Sequence, residues 1–284
     1  MKLGIVFEGG ASRTFFSCGV MDTLIEHNIK ADLVSGSSAG IANAVSYTAW
    51  QKGRNREVLR RYYHTKQYMG KRYLLKPGVR SFYNIPYVFD EIPNRLLPLD
   101  YDTFKNGGIK TVAAVTNIRT AVTEYMPLNG EDKQWRILVA SCALPILFKP
   151  VEINGELYMD GGITDSVPVD YMLEAGCDRV IAVLTREKGY RKSRHDITLE
   201  LSAHIFRKYK AFARALLERN ENYNRKREHI ARLESEGRVL VIAPEVMEGI
   251  SRTENDPQKL DKIYRHGIDV AERLLPRIKE YIGE

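Results

Sequence analysis

Apolar runs that read as buried strands recur at Leu3–Phe7, Leu33–Val34, Thr111–Thr116, Arg136–Ala140, Arg179–Leu184 and Arg238–Ala243, separated by helix-like stretches. After the first run, Phe16, Val20, Met21, Leu24 and Ile25 fall at helical spacing; after the second comes Ile41-Ala42-Asn43-Ala44-Val45. Such alternation predicts an α/β fold, a three-layer sandwich with a mostly parallel central sheet and helices on both faces. Thr111–Thr116 through Tyr125 reads as a hairpin around the turn-like Asn117-Ile118-Arg119. Further on, Ile205, Tyr209, Phe212, Leu216 and Tyr223 form an apolar stripe at helical spacing, with Lys208, Lys210, Arg214 and Arg219 among them. Asp256–Ile282 reads as a closing helix that opens on an Asp-Pro start, and Pro276 is expected to kink or interrupt it.

Three junctions between these elements carry chemistry. Gly36-Ser37-Ser38-Ala39-Gly40 stands between a strand and a helix, and glycines two residues either side of Ser38 permit a sharp turn. That turn lifts the Ser38 hydroxyl out of the sheet, where a substrate carbonyl can reach it; Ser37 lacks the flanking glycines. Leu3–Phe7 runs into Glu8-Gly9-Gly10-Ala11-Ser12-Arg13, whose small residues leave backbone N–H groups bare at a helix start, ready for an oxyanion. The segment argues against a dinucleotide site, because Gly9–Thr14 lacks glycine at the third and sixth positions of that fingerprint. Leu157-Tyr158-Met159-Asp160-Gly161-Gly162 ends a short strand on a carboxylate; alone it is a turn signal, and beside an exposed serine it becomes a candidate base.

Together the three segments resemble the patatin-like phospholipase family, as does Ala140-Ser141-Cys142-Ala143-Leu144-Pro145 with Phe148 and Pro150. Order and spacing agree from about Leu3 to Tyr171. The resemblance implies a patatin-like fold and a serine acyl hydrolase acting on lipid esters through a Ser–Asp dyad. In that scheme Ser38 attacks, Asp160 takes its proton, and the amides of Gly9, Gly10, Ala11 and Ser12 hold the oxyanion. Arg13, Gly36, Gly40, Gly161 and Gly162 support them. The family's turn usually has a third glycine and another after the basic residue, where this chain has Ala11 and Thr14. The N–H donors survive, but the Ala11 methyl narrows the approach. No cofactor or catalytic metal is implied.

Length and composition fit this picture: 284 residues at 44% hydrophobic can bury one substantial core. The expected organisation is one domain over 1–284, a motif-bearing core at 3–171 and a basic helical and C-terminal extension at 186–284. Three cysteines (Cys18, Cys142, Cys177) without a Cys-x-x-Cys pair fit reduced thiols in the cytoplasm. The apolar stretch after Lys2 ends at Glu8, too short for a signal peptide, and no run reaches the ~20 apolar residues of a spanning helix. The expected location is therefore cytoplasmic, with at most peripheral contact at the inner membrane surface.

Charge is segmental. Lys52–Phe89 holds ten Lys/Arg against one Glu, and Arg186–Arg232 fourteen against six acids, so the remainder of this +7 chain is acidic. In the first segment Tyr62, Tyr63, Tyr68, Tyr73, Phe82, Tyr83, Tyr87 and Phe89 interleave with the cations. That mixture suits the headgroup level of a bilayer, so segments 52–89 and 186–232 are candidates for membrane contact. Tyrosines packed as a lid over the cleft, beneath solvated charges, are the plainer expectation. Two rivals stand beside the dyad. A Ser–His–Asp hydrolase would draw on His195, His204, His229 or His266. A basic membrane- or nucleic-acid-binding protein on a catalytically degenerate hydrolase scaffold is the non-enzymatic alternative, although no specific nucleic acid is expected.

Overall fold

The structure is a computed structural model and describes residues 1–247 and 249–284. Among these residues one eight-stranded sheet forms from β1 (Leu3–Phe7), β2 (Leu33–Gly36), β3 (Lys110–Asn117), β4 (Thr123–Pro127), β5 (Val151–Ile153), β6 (Glu156–Asp160), β7 (Arg179–Val183) and β8 (Val239–Ile242). Its order is β5-β6-β3-β2-β1-β7-β8, with β4 also pairing β3. The run β3-β2-β1-β7-β8 is parallel, while β4 and β6 join β3 antiparallel and β5 joins β6 antiparallel. The sheet grows from β1 through β2 to β3 on one side and through β7 to β8 on the other. The order therefore reverses between β1 and β7, which opens a crevice beyond their carboxyl ends.

The α-helices are α1 (Phe15–Glu26), α2 (Ala39–Thr48), α3 (Arg54–Val58), α4 (Tyr101–Asn106), α5 (Arg136–Cys142), α6 (Val169–Glu174), α7 (Ile197–Ile205), α8 (Lys210–Ser235) and α9 (Pro257–Ile282). Strand alternation divides them between two faces. Leu3, Ile5, Phe7, Ile181, Val183, Leu240 and Ile242 point into a core closed by α1, α2, α5 and α9. Val6, Val180, Ala182, Val239 and Val241 point the other way, against Val169 and Met172 of α6 and Ile230 and Leu233 of α8. This is the three-layer arrangement that the alternating pattern predicts.

Three expectations are corrected. Arg136–Ala140 is not a strand but opens helix α5. Asp132 accepts from the Arg136 N–H at 2.7 Å, and the short apolar run buries Leu138, Val139 and Ala140 from a helix as readily as from a strand. α9 runs through Pro276 without interruption to Ile282. Burial of Val270, Ala271, Ile278 and Ile282 on both sides of the proline outweighs the single backbone bond it removes. The apolar stripe 205–223 is split, because α7 ends at Ile205 and α8 begins at Lys210, leaving Ile205 exposed. Arg219 shares the buried stripe of α8 with Phe212, Leu216 and Tyr223 and is not one of its surface cations.

Candidate active site

Ser38 stands between β2 and α2 with φ 55° and ψ −140°, a conformation that residues other than glycine rarely adopt. Close packing against β1 imposes this turn. A Cβ at either Gly36 or Gly40 would lie 2.4 Å from the Phe7 carbonyl oxygen, so neither position admits a side chain. Ser37 is buried and donates to the Ser166 carbonyl at 3.0 Å, whereas Ser38 remains partly accessible. The Ser38 N–H donates to Ser141 Oγ at 3.0 Å, and Ser141 in turn donates to the Ala114 carbonyl at 2.8 Å. Ser141 thus ties the serine turn to β3, a role the sequence alone does not assign.

Asp160 ends β6 opposite Val115 of β3 and is almost completely buried. Its Oδ1 accepts from the Gly162 N–H at 2.8 Å, while Oδ2 is buried without a hydrogen-bond partner. The Ser38 hydroxyl sits close enough to favour the charged carboxylate, yet no hydrogen bond of standard geometry joins the two groups. Burial raises the Asp160 pKa above the usual carboxylate value, and the positive charge of Arg219 opposes that rise. Arg219, on α8, donates through Nε to the Gly162 carbonyl at 2.9 Å. Gly161 passes so close to β3 that a Cβ there would lie 2.1 Å from the Ala114 carbonyl oxygen.

On the far side of Ser38 lies the Gly9–Arg13 turn. A Cβ at Gly9 would meet the Ser38 Cβ at 2.8 Å, and one at Gly10 would meet Thr185 Oγ1 at 2.7 Å. Ala11 adopts φ 50° where a glycine would be unstrained. Thr14 braces the turn, donating to the Ala11 carbonyl at 2.6 Å and accepting from Asn43 at 2.8 Å. Among the described residues, no acceptor takes the N–H groups of Gly9, Gly10 or Ala11. Ser12 departs from the expected set. Its N–H donates to the Arg252 carbonyl at 3.3 Å, and its fully buried hydroxyl bonds Tyr63, Arg252 and Glu254. The Arg13 guanidinium reaches the Ile250 carbonyl at 3.0–3.1 Å.

Two cavities meet at Ser38. The first, of about 150 Å³, is apolar and runs between α2, α5 and the 58–99 segment past Phe15, Tyr68, Phe89, Ile92, Leu138 and Phe148. Of the aromatics of the first basic segment, Tyr63, Tyr68, Tyr83 and Phe89 line this space, while Tyr73 and Tyr87 are buried outside its lining. None of these six is an exposed aromatic. The second cavity, of about 70 Å³, lies over the β1/β7 crevice and contains Asp160, Gly9 and Gly10. None of the six histidines lines either cavity; His229 pairs with Asp170 at 2.7 Å, and His266 accepts from the Glu245 N–H.

The sequence model of the patatin-like phospholipase family matches residues 5–173, well over half of the chain. The chain belongs to that family. Relatives include the uncharacterized protein YjjU of Escherichia coli K12, 26% identical over 191 residues that make up 65% of this chain and 52% of that one. The lysophospholipase NTE1 of Meyerozyma guilliermondii is 28% identical over 199 residues, 64% of this chain and 12% of that one. The chain therefore spans about half or less of the curated relatives it matches. Among solved structures, VipD from Legionella pneumophila aligns over 97% of this chain and 67% of its own, at 15% identity and a TM-score of 0.47. A second segment, residues 209–283, matches a domain of unknown function, DUF6363. Arg219 falls within it, so the charge beside Asp160 comes from outside the patatin-like match.

Proposed function

We propose that this protein is a serine acyl hydrolase that cleaves lipid esters, with Ser38 as nucleophile and Asp160 as general base. The observation that carries the reading is the buried, unpartnered Oδ2 of Asp160 beside the Ser38 hydroxyl. A buried acceptor without a donor costs free energy, and a proton from Ser38 satisfies it. As Ser38 Oγ attacks the ester carbonyl, its proton passes to Asp160, and the oxyanion settles against the free N–H groups of Gly9, Gly10 and Ala11. Collapse expels the alcohol, which takes the proton from Asp160 and leaves the acyl group on Ser38. Water then attacks the acyl-enzyme by the same proton route. The apolar cavity accommodates the acyl chain. Peripheral membrane contact belongs to the same proposal: Leu75 is 88% exposed among the exposed cations Lys71, Arg72, Lys76 and Arg80, with no membrane-spanning helix among the described residues.

Intact mass after exposure to a fluorophosphonate tests the nucleophile. One adduct is expected on the wild-type protein and none on Ser38→Ala. Equal labelling of both would overturn the assignment, and no labelling of a folded wild-type protein would favour the degenerate binding scaffold.

A further inference from the structure

The smaller cavity is built from an unusual charge set. Arg13, Arg186, Lys192, Arg219 and Arg252 line it, and its only carboxylates are Glu8 and Asp160. Glu8 already has partners, and Asp160 forms no ion pair with any of the five cations. Glu8 accepts from Tyr223 at 2.7 Å and from the Thr185 N–H at 2.6 Å, and lies 4.0 Å from Arg227 outside the cavity. Asp160 faces Arg219. Among the described residues, no carboxylate lies within ion-pair distance of Arg13, Arg186, Lys192 or Arg252. The Lys192 ammonium rests 3.6 Å over the Tyr223 ring. Like charges in this space penalise one another. Burial, then Arg186 and Arg252, lowers Arg13 to about 10, and burial with Arg219 and Arg252 depresses Lys192 strongly.

We infer that this cavity binds a terminal phosphate monoester on the alcohol half of the substrate, held by Arg186, Lys192 and Arg252 beside the ester that Ser38 attacks. The inference rests on Ser38 as the nucleophile of the proposed function. Position supports it, because the cavity sits at the β1/β7 reversal, where open parallel sheets bind ligands. Shared walls support it as well: Ser38, Ala11, Leu144 and Arg252 line both cavities, so a carbonyl at Ser38 has an apolar space on one side and a cationic one on the other. A dianion relieves the mutual repulsion of the cations, whereas a zwitterionic headgroup brings a further positive charge among them. The ligand class is therefore an acyl glycerol phosphate or a similar phosphomonoester, in preference to phosphocholine and neutral esters. Arg186, Lys192, Arg219 and Arg252 all lie beyond residue 173, outside the patatin-like match.

Calorimetry on Ser38→Ala, which cannot turn over, separates this site from catalysis. The probes are 1-oleoylglycerol 3-phosphate, the corresponding oleoyl lysophosphocholine, 1-oleoylglycerol and inorganic phosphate, each below its aggregation concentration. The phosphomonoester is expected to bind at least about tenfold more tightly than either other lipid, since charge-assisted bonds to phosphate are the strong class. Lys192→Gln and Arg252→Gln should each remove most of that preference, and Lys192→Arg should keep it. Arg252 is exposed, so its variant tests the site even if Lys192→Gln fails to fold. Equal affinity for the three lipids overturns the inference even where Ser38 labels with fluorophosphonate. Inorganic phosphate binding as tightly as the lipid also overturns it, assigning the cations to a free anion. Phosphate preference without labelling of the wild-type serine sustains the site and overturns the hydrolase.

Discussion

Gly19 and Gly267 meet where α1 crosses α9, and a Cβ on Gly267 would lie 2.0 Å from the Phe16 carbonyl oxygen and 3.3 Å from the Gly19 Cα. A Cβ on Gly19 would lie 2.1 Å from the Tyr264 carbonyl oxygen. Backbone faces backbone at this crossing, and Tyr264 adds a buried hydrogen bond to Asp22 at 2.5 Å. Gly267→Ala is therefore expected to cost about 3 kcal/mol, because both helix backbones must separate. Thermal unfolding should show a fall of roughly 5–10 °C in midpoint. Gly189→Ala, with nothing within 4 Å of the added methyl, serves as the control and should change little.

The strain at Ser38 is measurable separately from its chemistry. Ser38→Gly and Ser38→Ala should both be inactive, but only the glycine relaxes the left-handed backbone. Ser38→Gly should exceed Ser38→Ala in stability by about 1 kcal/mol in denaturant titration. Equal stabilities would show that the turn is not strained.

Ala11→Gly applies the same reasoning to the Gly9–Arg13 turn. Relief of φ 50° is offset by the greater freedom of glycine when unfolded, leaving a gain of at most about 1 kcal/mol. Loss of the methyl beside Ser38 should raise kcat/KM for bulky esters more than for acetyl esters. A fall for both would mean that Ala11 holds the donors in place.

Asp160→Asn keeps the shape and removes the proton acceptor, so turnover of a p-nitrophenyl ester should fall by about two to four orders of magnitude. The proposed base role needs the ionised carboxylate, and burial raises its pKa. The acid limb of the wild-type profile should therefore lie above the ordinary aspartate range, with activity lost as pH falls through it. Arg219→Gln removes the opposing positive charge and should move that limb to still higher pH. An unmoved limb would show that Arg219 is only a packing residue. Single substitutions at His195, His204, His229 or His266 should leave most activity.

Sedimentation with vesicles addresses the 71–80 surface. Binding to anionic vesicles should exceed binding to neutral ones and fall as salt rises, each basic residue near the surface adding about 1 kcal/mol. Replacing Lys71, Arg72 and Lys76 together by glutamine should abolish the difference. Arg60 and Arg61 matter less because Glu57 pairs with both.

Much of this was readable from residues alone, for reasons that differ by element. β1, β2, β7 and β8 are short apolar runs bounded by turns, and the Gly–x–Ser–x–Gly and Asp–Gly–Gly segments carry their geometry in residue size. α5 was misread because Ile137-Leu138-Val139-Ala140 is apolar in every register, and only its Asp132 start distinguishes helix from strand. The spacing of Arg219 from Leu216 and Tyr223 places it on the buried stripe of α8, but periodicity alone does not show that it faces Asp160. The lining of the basic cavity was beyond reach, since Arg13, Arg186, Lys192 and Arg252 converge only through the order of the sheet.

Ser38 opens onto two unlike spaces, so under the proposed mechanism the halves of a cleaved ester would part in opposite directions. The acyl chain would stay in the apolar cavity, tethered to the serine, while the alcohol would occupy the polar one. Water would reach the tethered carbonyl from that polar side, so the second half-reaction would wait for the first product to leave. An added alcohol that lodges there competes with water for the acyl group. The balance between hydrolysis and acyl transfer is then set by how long the polar cavity stays occupied.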